Sequence, residues 1–202
     1  MATIHLVRHG QHNLGGGVLA GRTPGVGLTD LGRAEIEAVA ARLERDRIAA
    51  LYSSPLQRTR ESAEIIAARL GLPIQFRDGV IELDFGEWTG STFDAIRADP
   101  RWQRWSTHRS LARIPGGETM REIQQRAVEV LMDVGDTLED GAAAIVSHGD
   151  VIRSILVFAP GMPLDFFGRI EVGLGSISTI RIDRGGIRVI GINDRPYHAA
   201  VR

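Results

Sequence analysis

Ile4-His5-Leu6-Val7-Arg8-His9-Gly10 is a short β-rich run that ends in a basic pair and a glycine. Its pattern returns far along the chain. Ala142-Ala143-Ala144-Ile145-Val146 is wholly apolar and is followed by Ser147-His148-Gly149. Brief apolar runs bounded by such breakers read as buried strands. Each delivers a histidine, then a glycine, at the carboxyl end of a strand. In open α/β sheets the ligand crevice lies at that end. If the two strands are neighbours, His9 and His148 meet in one site. The glycine after each histidine lets backbone approach a ligand closely.

Strand and helix signals alternate outward from these two runs. Residues 11–28 hold Gly15, Gly16, Gly17, Gly21, Gly25, Gly27 and Pro24, a long irregular loop. Thr29 suits an N-cap for a helix whose apolar stripe is Leu31, Ala34, Ala38, Val39 and Leu43. Ile48 to Tyr52 is a second strand. Ser54-Pro55-Leu56-Gln57 reads as a helix start, with Ser54 as N-cap, Pro55 at the first position and Gln57 closing a capping box. Its buried face is Leu56, Ala63, Ile66 and Leu70, and Gly71 ends it. Leu72 to Phe76 is a strand, 80–90 mostly loop, and 91–113 a helical excursion carrying Trp102 and Trp105. Thr119 and Glu122 form a capping box for a helix through about Glu139. Asp150 to Phe158 is a short apolar helix. Ser176 to Ile182 and Ile187 to Ile192 form a hairpin turning at Arg184-Gly185-Gly186. This order predicts an α/β fold, a largely parallel central sheet sandwiched by helices in three layers. One domain over residues 1–202 is expected.

Composition removes several classes. The 24 basic and 25 acidic residues leave a formal net charge of −1, with no bulk attraction for nucleic acid or an acidic membrane. The chain has no cysteine, so thiol nucleophiles, disulfides and cysteine-ligated metals are excluded. His9 and His12 have metal-like spacing, but they sit in a loop without an evident third ligand. No metal and no cofactor is expected. Met1 to Val7 lacks a basic leader region, and Val151 to Pro160 is too short to span a bilayer. A soluble, cytoplasmic protein is the expectation.

The crevice has its own chemistry. Arg58 falls one turn into the second helix, where its side chain reaches back over the helix start. The helix that begins near Asp150 aims its free N–H groups into the same crevice. Arg8, Arg58, His9 and His148 together make a cation-rich pocket in a neutral protein. Such a pocket suits a phosphoryl group, whose oxygens arginine grips through paired hydrogen bonds. Taken singly, His148 reads as a satisfied histidine near the core and Arg58 as a solvated helix residue; their convergence carries the reading. His5 and His108 read as structural.

With these residues in hand, the chain resembles the histidine phosphatase superfamily, also called the phosphoglycerate mutase-like family. The matching motifs are Val7-Arg8-His9-Gly10, Gly27-Leu28-Thr29 with Gly32, and the run from Ser53 through Arg58 to Ala63. Glu82 to Gly90, Pro115 to Thr119 and Val146-Ser147-His148-Gly149 follow in the family's order. The resemblance implies that His9 is the nucleophile that becomes phosphohistidine and that Glu82 donates the proton. It implies that Arg8, Arg58 and His148 hold the phosphate; Gln11 and Gly149 are expected beside them, and stabilising the transition-state charge calls for a protonated His148. It departs where the family commonly carries asparagine. That position is Gly15 here, Asn13 stands two residues earlier, and His12 replaces a small hydroxyl residue.

The implied activity is a metal-independent phosphomonoester phosphatase acting on a small phosphorylated metabolite. A phosphoglycerate mutase-type enzyme is the second reading, and a catalytically weak phosphoryl-binding module the third. The short segment after Glu82, with only Arg97, Arg101, Arg104, Arg109 and Arg113 nearby, favours the phosphatase. Residues 11–25 and 91–113 are expected to wall the substrate. A homodimer is expected from the resemblance, since dimers are common in the family.

Overall fold

The structure is a computed structural model that describes residues 1–15, 17–138 and 140–197. Gly16 and Glu139, placed by the sequence in the glycine-rich loop and at a helix end, lie outside the described residues. The strands are β1 (Ala2–Arg8), β2 (Ile48–Ser53), β3 (Ile74–Phe76), β4 (Gly141–Ser147), β5 (Ile177–Asp183) and β6 (Gly186–Asp194). They form one six-stranded sheet in the order β3-β2-β4-β1-β5-β6. β1, β2, β3 and β4 run parallel, and only β5 opposes its neighbours.

The helices are α1 (Asp30–Leu43), α2 (Gln57–Leu70), α3 (Phe93–Arg97), α4 (Pro100–Thr107), α5 (Met120–Thr137) and α6 (Gly149–Phe158). Alternating strand residues split the core into two layers, because successive side chains point to opposite faces. Val7, Ala144 and Val146 pack with Ile36, Val39 and Ile66 of α1 and α2. Ile4, Leu6, Ala143 and Ile145 pack with α5, α6 and the tryptophan-bearing excursion. The three-layer expectation therefore holds, and the excursion resolves into α3 and α4.

Two helix starts differ from the sequence reading. Thr29 does cap α1, accepting the Gly32 N–H at 3.1 Å. The buried stripe is nevertheless Gly32, Glu35, Ile36, Val39, Ala40 and Leu43, while Leu31 and Ala34 face out. Backbone contact sets that rotation. Gly32 lies directly against the loop after β1, and Glu35 accepts the Gln11 N–H at 2.8 Å. The second correction concerns Ser54. α2 begins at Gln57, with Leu56 in the cap position and no side-chain cap. The Ser54 hydroxyl is engaged instead with His148 Nε2 at 2.8 Å, and Gln57 reaches Glu61 at 2.7 Å. Leu56 and Leu70 are only half-buried, and the buried face carries Arg58, Thr59 and Ser62 as well. Gly71 ends α2 in the left-handed conformation at φ 68°, as glycine there should. The Thr119–Glu122 capping box is also present.

The Gly10–Gly32 contact makes a prediction. A Cβ on Gly32 would sit 2.0 Å from the Gln11 carbonyl oxygen, and that atom is backbone. Gly32→Ala should therefore lower the urea midpoint, by overpacking worth about 1–3 kcal/mol. The better helix propensity of alanine offsets about 0.5–1 kcal/mol of that. An unchanged or raised midpoint would show that α1 can slide away from the loop.

Candidate active site

Strand pairing builds the centre of the site. β1 lies beside β4 with Arg8 opposite Ser147, so the next residue on each strand is a histidine. The two rings stand 5.3 Å apart between centroids, edge to face. Both are almost wholly buried. The His9 tautomer follows from its partners. Nδ1 meets the Gly10 carbonyl at 2.8 Å, and a carbonyl can only accept, so Nδ1 carries the hydrogen. Nε2 is then an unprotonated acceptor, and the Arg58 Nε–H donates to it at 3.2 Å. Burial, then Arg58 and Arg8, push the His9 pKa well below its ordinary value. At neutral pH His9 is a free-base imidazole with its lone pair on Nε2.

The arginines are fixed by backbone carbonyls and keep unused donors. Arg58, in the first turn of α2, donates Nη2 to the Gly21 carbonyl at 2.8 Å. Its Nη1 is buried without a partner. Arg8 donates Nη1 to the Val172 carbonyl at 2.6 Å, and its buried Nε is also unpartnered. Gly149, first residue of α6, gives Arg8 its seat, since a Cβ there would lie 3.2 Å from the guanidinium carbon. His148 Nδ1, 3.9 Å from the Glu82 carboxylate, is also buried without a partner, and so are His12 Nδ1 and Trp105 Nε1. Leaving buried polar groups unpaired costs about 1–3 kcal/mol each, so five gathered around one cavity call for a ligand.

The protonation expected of His148 depends on the phosphoryl group it meets. Burial, followed by Arg58, holds its pKa well below the ordinary value and favours the neutral imidazole. A bound dianion would offset both arginines and raise it.

Glu82 sits on the loop before the turn at Gly86–Trp88. Its carboxylate accepts the Leu83 N–H at 2.9 Å. Burial, then the like charge of Asp150, raise its pKa to about 7, against the pull of Arg58 and Arg8. Two residues missed by sequence reasoning fix its backbone. The Glu82 carbonyl accepts from Arg22 at 2.8 Å and Arg126 at 3.3 Å, and both arginines pair with Glu118. Arg22 thereby ties the 11–28 loop, which also supplies the Gly21 carbonyl, to the Glu82 loop.

These groups line a cavity of about 420 Å³ that also takes in Gln11, His12, Gly15, Phe85, Phe93, Trp102 and Trp105. Over residues 4–195 the sequence matches the family model of the histidine phosphatase superfamily, branch 1. The chain belongs to that superfamily. A bifunctional protein of Mycobacterium tuberculosis is 32% identical over 176 residues, 86% of this chain and 48% of that protein. The chain thus spans about half the length of the first curated relatives it matches. Phosphoserine phosphatase 1 of Hydrogenobacter thermophilus is 25% identical over 198 residues, covering 96% of this chain and 92% of that one. Among solved structures, YhfR of Bacillus stearothermophilus superimposes with a TM-score of 0.90 at 28% identity, over 96% of this chain and 98% of that one.

Within this histidine phosphatase fold, the sequence-predicted residues converge. His9, Arg8, Arg58, Glu82, Gln11 and Gly149 all line the cavity, and His148 lies against His9 and Glu82. The Gln11 side-chain oxygen is already taken by the Thr29 hydroxyl at 2.8 Å. Asn13 is exposed and outside the cavity wall, so it does not replace the absent family asparagine. His12 does reach the wall, 5.5 Å from the His9 ring, with its pKa lowered to about 4 mainly by burial. His5 is structural, bonded to Thr179 at 3.1 Å. Trp105 is both core and wall. Among the described residues, no cluster of three or more histidine or carboxylate side chains could hold a metal ion, and no helix is long and apolar enough to cross a membrane.

Proposed function

We propose that this chain is a phosphomonoester phosphatase that works through a phosphohistidine on His9 and acts on a small phosphorylated metabolite. One observation carries the reading. Arg8 Nε, Arg58 Nη1 and His148 Nδ1 are buried and unpartnered around an imidazole whose Nε2 is unprotonated. That is a donor cradle beside a nucleophile. The reaction runs in two displacements. His9 Nε2 bonds to phosphorus as the ester oxygen departs, and Glu82 gives that oxygen its proton. The transition state is loose, and its equatorial oxygens carry the charge that Arg8, Arg58 and His148 meet. A water then loses a proton to Glu82 and bonds to phosphorus. The P–N bond breaks, inorganic phosphate leaves, and His9 returns neutral. Every step uses a side chain of this protein.

The name of the Hydrogenobacter relative, a phosphoserine phosphatase, supports the reading, as does the short segment after Glu82. A single domain over residues 1–202, from the chain's length, a cytoplasmic setting, as expected from the sequence alone, and a homodimer, from the resemblance, belong to the same proposal.

The cradle is tested by product inhibition. Inorganic phosphate should inhibit hydrolysis of 4-nitrophenyl phosphate competitively, and vanadate should bind more tightly because it mimics five-coordinate phosphorus. Arg58→Ala should weaken both by roughly tenfold to a hundredfold, the worth of a hydrogen bond to a charged group. Arg58→Lys should restore only part of it, since a point charge lacks the guanidinium fork. Unchanged inhibition in Arg58→Ala would remove Arg58 from the site. Isomerisation of 3-phosphoglycerate that outruns its hydrolysis would turn the reading to a mutase.

A further inference from the structure

The cavity wall also holds a cation that the proposed chemistry leaves idle. Arg109 follows α4, and its guanidinium carbon lies 4.0 Å from the Trp105 ring centroid and 4.7 Å from that of Phe167. Stacking between two rings uses the faces of the guanidinium and leaves its N–H edge free. Among the described residues that guanidinium makes no hydrogen bond and no ion pair. The group lines the cavity.

Its charged surroundings are already committed. Asp150, Arg153 and Asp165 are the charges that act on it. Asp150 lies 3.4 Å from Arg153, whose Nε donates to the Ile170 carbonyl at 3.0 Å. Asp165 accepts from the Ser110 N–H at 3.0 Å and from the Ser110 hydroxyl at 2.7 Å. Those last two bonds also anchor the backbone beside Arg109. The cation is thus held in place before any ligand arrives, which limits the ordering that binding must impose. Arg8, Arg58 and Glu82 are absent from its charged neighbours, whereas Asp150 acts on Glu82, Arg8 and Arg109. His9, Asp150 and Arg109 all line the one cavity. Leu19, Phe85, Phe93 and Trp102 give the same cavity an apolar wall, with the Phe85 and Trp102 rings 5.9 and 5.0 Å from the Trp105 ring on which Arg109 stacks.

We propose that Arg109 is a second anion subsite, and that the preferred substrate is a phosphate monoester whose alcohol carries an apolar body ending in a carboxylate or a second phosphate. The assignment of the phosphoryl group to the His9 end rests on the phosphatase reading. An aryl body suits the aromatic wall, and the guanidinium edge meets the distal anion. Trp105, Phe167 and the Asp165 clamp position the cation.

Binding of matched phosphonates to the full chain tests the subsite without requiring turnover. The probes are benzylphosphonate carrying, at the para position, a carboxylate, a phosphonomethyl group or a neutral carboxamide of similar shape. Calorimetry should find one or both distal anions bound on the order of tenfold to a hundredfold more tightly than the carboxamide. The better of the two identifies the distal group. Arg109→Met fills the space between the rings and should bring the ratio close to one. Arg109→Lys keeps a cation and should retain part of the preference, which separates lost recognition from lost folding. Equal binding of all three probes to the wild-type chain, or a preference that survives in Arg109→Met, would overturn the subsite. The corresponding aryl phosphates report separately on catalysis. Anion preference without hydrolysis would keep the subsite and sink the phosphatase reading; hydrolysis without preference would do the reverse.

Discussion

His9→Ala is expected to lose turnover of any phosphate monoester by roughly 10⁴-fold or more, the scale seen when a nucleophile is removed from a preorganised site. The expectation rests on which nitrogen holds the lone pair. His9 gives its Nδ1 hydrogen to Gly10 and keeps Nε2 unprotonated, aimed into the cluster of arginine donors. Neither neighbouring imidazole has that arrangement. His148 Nε2 is held by Ser54 at 2.8 Å, and the carbonyl clamp that fixes the His9 tautomer has no counterpart on His12. Brief mixing with substrate, followed by mass spectrometry under alkaline conditions that spare the P–N bond, should find phosphate on His9. In His9→Ala no phosphoprotein should form. Arg8 and Arg58 remain in that variant, so phosphate should still bind while chemistry stops. Turnover within tenfold of wild type, or phosphate found on His12 or His148, would overturn the mechanism.

Much of this site is legible in the chain because strand periodicity and strand ends are local properties. The apolar runs ending at His9 and His148 predict two buried strands, and their pairing needs only that the strands be neighbours. Arg58 is legible for a similar reason, since a residue near a helix start faces the crevice. Ser54 misleads because its hydroxyl has two competing partners. A serine before proline reads as a cap, yet the Ser54 hydroxyl turns to His148 Nε2 at 2.8 Å, and its oxygen accepts the Leu56 N–H, at 3.5 Å, ahead of the helix. The stripe of α1 misleads because apolar count ignores backbone. Gly32 contributes no side chain to a periodicity, but its lack of one lets α1 press against Gln11 and sets the helix rotation. Arg22, Arg126 and Arg109 were out of reach. Arg22 and Arg126 act across 60 and 44 residues of sequence on the Glu82 carbonyl, and Arg109, which stacks locally on Trp105, needs the distant Phe167 ring to complete its seat. The role of Glu82 came from resemblance, and its surroundings now supply a physical reason.

That reason makes Glu82 testable by both pH and leaving group. A proton donor must hold its proton at working pH, and Glu82 titrates near 7 because it is buried beside Asp150. The first, phosphoryl-transfer step needs the protonated form, so its rate should be level below pH 7 and fall about tenfold per unit above it. Asp150→Asn removes the like charge, lowers the Glu82 pKa and should move that limb to lower pH. Glu82→Gln keeps shape and neutrality while removing the proton, so its loss reads the proton alone. For an alkyl phosphate, whose alkoxide leaves badly, the step should fall by about 10²–10⁴-fold, and the limb above pH 7 should vanish. For 4-nitrophenyl phosphate, whose phenolate leaves unaided, the fall should be far smaller. Single-turnover measurement is required, because Glu82 also activates water in the later step that both substrates share. Asp84 and Glu87 are the neighbouring controls. Asp84 accepts the Gly86 N–H at 2.9 Å, Glu87 pairs with Arg101 at 3.0 Å, and neither lines the cavity. Asp84→Asn and Glu87→Gln should therefore show no leaving-group selectivity. Equal losses for both substrates in Glu82→Gln would reject it as the acid, and a selective loss in either control would hand the role to that carboxylate.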